Sequence, residues 1–369
     1  MARRLLLLNG LAILCVILFH ATGFGFTAMF AWAHRYRDVT SPNYDAAGTA
    51  AYYALRLVEQ FVTFCIPAFL FVSGYFVSVL AGRSHRIMDP RAIGARIRGL
   101  LIPYLIWSAV VLLGLALQGR VFSGARYLSL LATGATNPTY YYVPLLVQLY
   151  LVAPLVVLFA NWRWKALLAT TAALQVCVYA LQYVIVVRVV VPGLTSLAAA
   201  LPKWLFLAHL FWFTFGVVGG FQQRTLRVVL ERRKRVLASC LVGLFVLGVL
   251  EWELLLQWSG QPWIDNRPTL IDGLYSSAAI LSFLAFENLK IPLANSLVAL
   301  GAKSYGIYLV HGLVMEYFSR GLYHLAPWIL GWQILFQPML IGVGLSVPLL
   351  LMSLVSRLGS PGLYRHLFG

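Results

Sequence analysis

Two histidines stand inside apolar runs: His20 in ILFHATGF and His311 in SYGIYLVHGLV. Imidazole is the side chain that changes charge near neutral pH, so a buried one suits a general base or a nucleophile. Ionisable groups are costly inside a membrane, which makes each a candidate site. The structural alternative is a histidine that only hydrogen-bonds a neighbouring helix. Ser304 and Tyr308 lie seven and three residues before His311 and share its helical face. Such a polar stripe packs a bundle or lines a cavity, and spacing does not decide between them. Glu316 is expected about one turn beyond His311, facing the same cavity. His209, in LFLAHLFWF, reads as a hydrogen-bonded buried histidine. Arg56 and Glu59 are spaced for a local ion pair. Glu251 and Glu253 are two apart, on different faces, and do not form an acid–base carboxylate pair. Cys15, Cys65, Cys177 and Cys240 all lie in apolar runs without CxxC spacing, so no metal site is expected. There is no P-loop, no HExxH, no GxSxG and no GxGxxG after a strand.

The elements that must position these residues follow from composition. The 369 residues are 61% hydrophobic and 11% charged. Soluble domains are about 45–50% apolar and about 25% charged, which excludes a soluble enzyme, a disordered chain and a disulfide framework. Ten apolar stretches occur, at roughly 5–26, 51–81, 100–118, 140–160, 166–187, 204–220, 236–257, 269–287, 303–319 and 328–355. The expected fold is all-α: a polytopic transmembrane bundle of about ten spans in a single membrane-embedded domain, 1–369, with no separate soluble domain. The first stretch follows Arg3 and Arg4 and is longer than the usual signal-peptide core of about 7–15 residues. It reads as an uncleaved helix.

The net charge is +17. With the N-terminus inside, 19 basic residues fall on the inner side and 9 on the outer. The inner set includes Arg83, Arg86, Arg91, Arg96, Arg98 and the run from Arg224 to Arg235. The bias places both termini in the cytoplasm. Nearly the whole excess charge is then an inner feature, suited to lipid headgroups and to a phosphorylated cytosolic ligand. Nucleic acid is not an expected partner, because apolar helices interrupt the basic clusters.

Five segments in order resemble the acyltransferase-3 family of membrane sugar O-acyltransferases. They are LLLNGLAILCVILFH, IPAFLFVSGYFV, RIRGLLIPYLIWS, YYYVPLLVQLYLVAPL and SYGIYLVHGLV. The family's first helix carries Arg–x10–His, ending in its catalytic histidine, here His20. The sequence departs from the family in three places. Asn9 stands where the family has Arg, three turns or about 16 Å before His20 on the same face. Arg96 is followed by Gly99 rather than a second Arg, with Arg98 adjacent. Tyr141 and Tyr142 replace Trp-Phe. The extracytoplasmic hydrolase-like domain of long family members is not expected.

The resemblance implies transfer of an acyl group, acetyl in the first instance, from cytosolic acyl-CoA to a sugar hydroxyl. The acceptor would be a cell-surface polysaccharide or a lipid-linked glycan. His20 would be the catalytic base, or carry the acyl group. Arg96, Arg98 and Asn9 would serve the acetyl-CoA donor, and Ser73, Tyr142, Tyr308 and His311 the acceptor. The loops 27–50 and 188–203 would select it. The expected location is the inner (plasma) membrane. The rival is a non-enzymatic glycan or lipid carrier or flippase, which buried polar residues also suit. No internal repeat supports it.

Overall fold

The computed structural model describes residues 2–82, 89–187, 193, 197, 201–264 and 268–369. Every regular element among them is a helix. Arg83 and Arg86, and residues 188–192, 194–196 and 198–200 of the segment assigned to acceptor selection, lie outside the described residues.

The helices are α1 (Ala2–Phe26), α2 (Ala50–Val62), α3 (Cys65–Ala81), α4 (Pro90–Leu117), α5 (Gly124–Thr133) and α6 (Tyr142–Val186). They continue as α7 (Leu210–Phe221), α8 (Gln223–Ser259), α9 (Leu270–Ala285), α10 (Ala294–Ala302), α11 (Ser304–Leu325), α12 (Gln333–Leu358) and α13 (Pro361–Phe368). Polar caps set several starts. Thr49 accepts from the Tyr52 amide before α2, and Asp89 accepts from Arg91 with Pro90 in the first turn of α4. Thr269 and Asp272 form a reciprocal capping box on α9.

Six segments are long and apolar enough to cross a membrane: Ala2–Ala31, Ala50–Ala81, Pro90–Leu117, Tyr142–Val186, Gln223–Ser259 and Gln333–Leu358. The pair α10 and α11, bent by 80° at Lys303, passes the same test together. This is an integral membrane protein. The ten apolar stretches map onto this set when α6 is taken as two arms and the shorter α7 and α9 are added. The arms of α6 meet at Arg163, whose backbone leaves the helical region (φ −143°, ψ 59°). The stretch 51–81 is likewise two helices, divided at Thr63 and Phe64.

Glycines let two helix pairs touch through their backbones. A Cβ on Gly74 of α3 would sit 2.0 Å from the Phe213 carbonyl oxygen of α7. One on Gly216 would sit 1.9 Å from that of Phe71. Gly10 of α1 and Gly301 of α10 meet Leu297 and Leu6 in the same way. Lipid gives helices no hydrophobic reason to associate, so close approach of this kind supplies dispersion contact. The core it closes runs through α1, α3, α6, α7 and α11, and includes Ile13, Ile17, Phe71, Leu145, Phe213 and Ile307, none with exposed surface.

Candidate active site

α1 brings His20 against α11, where the imidazole centroids of His20 and His311 are 5.3 Å apart. His311 is fully buried, while His20 keeps some exposed surface. The Nδ1 of His311 lies 2.8 Å from the Tyr308 carbonyl and 3.2 Å from that of Ile307. Carbonyls only accept, so Nδ1 carries the proton and Nε2 presents a lone pair. That Nε2 is buried and has no hydrogen-bond partner among the described residues. The arrangement is a partly buried imidazole backed by a second whose Nε2 has no partner among the described residues.

Tyrosines extend the site. The Tyr308 ring lies 5.9 Å from His311 and 5.5 Å from Tyr142. Tyr142 shares a side-chain hydrogen bond with Ser73. Four of the sequence candidates, His311, Tyr308, Tyr142 and Ser73, therefore gather with His20. The donor-side candidates lie elsewhere. The Arg96 guanidinium sits 5.9 Å over Tyr150, eight residues or about 12 Å along α6 from Tyr142. Arg98 is exposed. Asn9 has a buried Oδ1 with no partner among the described residues. The N-terminal ends of α1, α4 and α11 adjoin. Gly301 packs on Leu6, and the Tyr305 hydroxyl donates to the Leu100 carbonyl at 2.6 Å. Asn9 and Arg96 thus lie toward one end of the bundle, with His20 deeper in.

Part of the site wall is irregular backbone. After α5 the chain enters the bundle, turning at Gly134 (φ +73°), where a Cβ would meet the Tyr140 carbonyl at 2.6 Å. Thr136, Asn137, Thr139 and Tyr140 are all buried. Non-helical backbone at membrane depth persists only where protein or a cavity satisfies it. Here the Asn137 Oδ1 accepts from the Thr139 amide and hydroxyl, and Tyr140 donates to Leu309 on α11 at 2.6 Å. Tyr308 donates to the Thr139 carbonyl. Tyr308→Phe strips that carbonyl of its phenol donor, and an unpaired buried group costs about 1–3 kcal/mol. The variant should show a lower melting temperature in detergent, measured beside the wild type. An unchanged melting temperature would show that the loop does not depend on this bond.

Sequence reasoning did not find this loop, whose GATNPT composition resembles an exposed connection. It also passed over Lys203, close enough to act electrostatically on both His20 and His209. Two expectations are settled by contacts. Arg56 and Glu59 do pair, with both side chains buried. Glu316 does not join His311: it bonds Arg320 at 2.9 Å, on a partly exposed face of α11. Five residues turn a helix about 140° beyond a full turn, which carries Glu316 away from the cavity. Arg3 and Arg4 do not stand in for the missing arginine at Asn9, because they hold Asn295 and the Phe283 and Phe286 carbonyls. No cluster of three metal-ligating side chains occurs among the described residues.

A family model described as an acyltransferase domain matches residues 5–356. No curated protein and no solved structure matches the chain.

Proposed function

The chain belongs to the acyltransferase-3 family, and on that premise we propose that it moves an acetyl group from acetyl-CoA to a sugar hydroxyl. The acceptor is a cell-surface polysaccharide or its lipid-linked precursor, and the protein works in the plasma (inner) membrane. The observation that carries the reading is the His20–His311 pair, with its buried, unpartnered Nε2.

His20 takes the proton from the acceptor hydroxyl. The freed oxygen attacks the thioester carbon, and a C–O bond forms as the C–S bond breaks. The leaving thiolate recovers the proton from the imidazolium. His311 stabilises that imidazolium from behind, and Tyr308, Tyr142 and Ser73 offer hydroxyls to the acceptor. Arg96 and Arg98 bind the phosphates of the donor, with guanidinium geometry matched to phosphate oxygens. The unpaired amide oxygen of Asn9 supports a place along the donor's path on α1.

The direct test uses protein in liposomes, acetyl-labelled acetyl-CoA and purified surface polysaccharide. Label should enter the glycan with one free CoA thiol released per acetyl transferred. A glycan left unlabelled by folded protein sinks the proposal, and glycan movement without thiol release would establish a carrier. Donor binding has its own signature. Arg96→Ala should raise KM for acetyl-CoA about tenfold with kcat nearly unchanged, as expected when binding is lost equally from ground and transition states. Arg126→Ala, an exposed arginine on α5, serves as the control and should leave both constants alone. An Arg96 variant with wild-type KM removes this residue from the donor site.

A further inference from the structure

α1 does not end with its last α-helical turn. It continues as a wider π-helical turn, Thr27–Ala31, and a short tight turn, Ala33–Arg35, that meets the C-terminal end of α11. The Arg35 guanidinium donates twice to the Tyr323 carbonyl, at 3.1 and 3.2 Å, and lies 4.7 Å over the Tyr323 ring. Trp32 meets the same ring edge to face, with centroids 5.2 Å apart. The Nε2 of His34 lies 3.2 Å from the Tyr323 hydroxyl. Tyr36 holds the turn in place. Its hydroxyl donates to the Ala28 carbonyl at 3.1 Å, and its ring packs on Gly331, where a Cβ would fall 2.8 Å from it.

Fastening two helix ends needs no more than the Arg35 bonds to a late carbonyl of α11. The surroundings offer more. His34, Arg35 and His324 are exposed, and Trp32 and Tyr323 are half-buried. A guanidinium carries five N–H donors, of which the Tyr323 carbonyl takes two. Rings bordered by N–H donors suit a sugar, whose C–H faces are apolar and whose rim is hydroxyl. Other rings have the character of interfacial anchors: Trp328 and Trp332, beside the same helix end, are 58% and 61% exposed.

Location supplies the second argument. Asn9 and Arg96 lie toward the end of the bundle where α1 and α11 begin, and Trp32 and Tyr323 lie where they finish. Tyr323 is twelve residues, or about 18 Å, beyond His311 along α11, and Trp32 stands twelve residues beyond His20. The histidine pair is therefore between the two ends, on the same two chain segments. With the donor phosphates at the first end, the second end is left to the acceptor, and a polymeric acceptor has to extend past it.

We infer that Trp32, His34, Arg35 and Tyr323 form a docking surface for the glycan chain of the acceptor, engaging sugar units several positions away from the one that is acylated. The Trp32 and Tyr323 rings stack on the apolar faces of those units, and the remaining Arg35 donors bond their hydroxyl and ring oxygens. The inference rests on the acyl-transfer reading for the identity of the ligand, but binding can be measured without chemistry.

The test compares two acceptors cut from the producing cell's surface polysaccharide: a disaccharide, and a chain long enough to cross the distance from His20 to Trp32. Labelled acetyl transfer by detergent-purified protein should show a lower KM for the chain. Trp32→Leu keeps apolar bulk and removes the ring. It should raise KM for the chain about fivefold, with kcat nearly unchanged and the disaccharide constants in place. His34→Ala should act in the same direction, and replaces Trp32→Leu if melting curves show that variant to be poorly folded. Trp332→Leu, outside the surface, is the control and should alter neither acceptor. Equal KM for both acceptors in the wild type, or variants that handle the chain as the wild type does, overturns the surface. A loss shared equally by the disaccharide also overturns it, because the effect then lies at the histidine pair. If folded wild type acetylates neither acceptor, the acyl-transfer reading falls and calorimetry with the chain decides the surface alone: weaker binding by Trp32→Leu upholds it, and equal or absent binding overturns it.

Discussion

His20→Ala should lower acetyl transfer by about 10²–10⁴-fold, the usual contribution of a positioned proton-transfer group. His311→Ala should fall in the same range. The double variant should be little worse than either single one. The reason is geometric: the imidazoles are 5.3 Å apart, and of the two only His20 retains exposed surface. In the proposed mechanism His311 acts through His20, and residues that act as a unit give non-additive losses. Initial rates of labelled acetyl transfer across the four proteins form the cycle, with melting temperature as the check on folding. Losses that multiply would show that the two imidazoles serve separate steps and would remove His311 from the proton's path. Undiminished transfer by His20→Ala would remove the mechanism altogether.

The two histidines, Ser304 and Tyr308 were legible in the sequence because a titratable or polar group in an apolar run is conspicuous. That His20 and His311 meet was not legible, since 290 residues separate them and α1 and α11 carry no local mark of contact. The resemblance supplied the roles, and packing supplied the pairing. Hydropathy located the apolar stretches but not the breaks. An average over 51–81 stays high across Thr63 and Phe64, although the helix divides there. The break at Arg163 coincides with a charge in the gap between the apolar stretches 140–160 and 166–187. The buried loop 134–141 escaped because its burial depends on Tyr308 and Tyr140, donors from outside or at the end of the loop. The polar cluster around Arg56 was half visible. Arg56–Glu59 could be read from spacing, whereas Gln60, Asp272 and Glu251 are drawn together by three helices distant in sequence.

The second large effect concerns assembly of the site rather than its chemistry. Gly216→Ala should sharply reduce the yield of folded protein and its melting temperature, and Gly74→Ala should do likewise. Each added methyl would fall about 2 Å from a main-chain carbonyl oxygen of the facing helix, 1.9 Å for Gly216 and 2.0 Å for Gly74. A flexible side chain could turn aside, but a carbonyl fixed in a helix cannot, so α3 and α7 must separate. Overpacking that forces side chains and backbone to shift costs about 1–3 kcal/mol, occasionally more. Separation would also move Ser73, the neighbour of Gly74 that bonds Tyr142, so transfer should fall in whatever protein still folds. Gly243→Ala is the internal contrast. Gly243 lies within α8, and an added methyl there would meet no atom within 4 Å. Replacing an interior helical glycine by alanine gains up to about 1 kcal/mol. Opposite signs at Gly216 and Gly243, read from melting curves in one detergent, would locate the cost in helix contact. A Gly216→Ala protein as stable as wild type would show that α3 and α7 do not pack backbone to backbone.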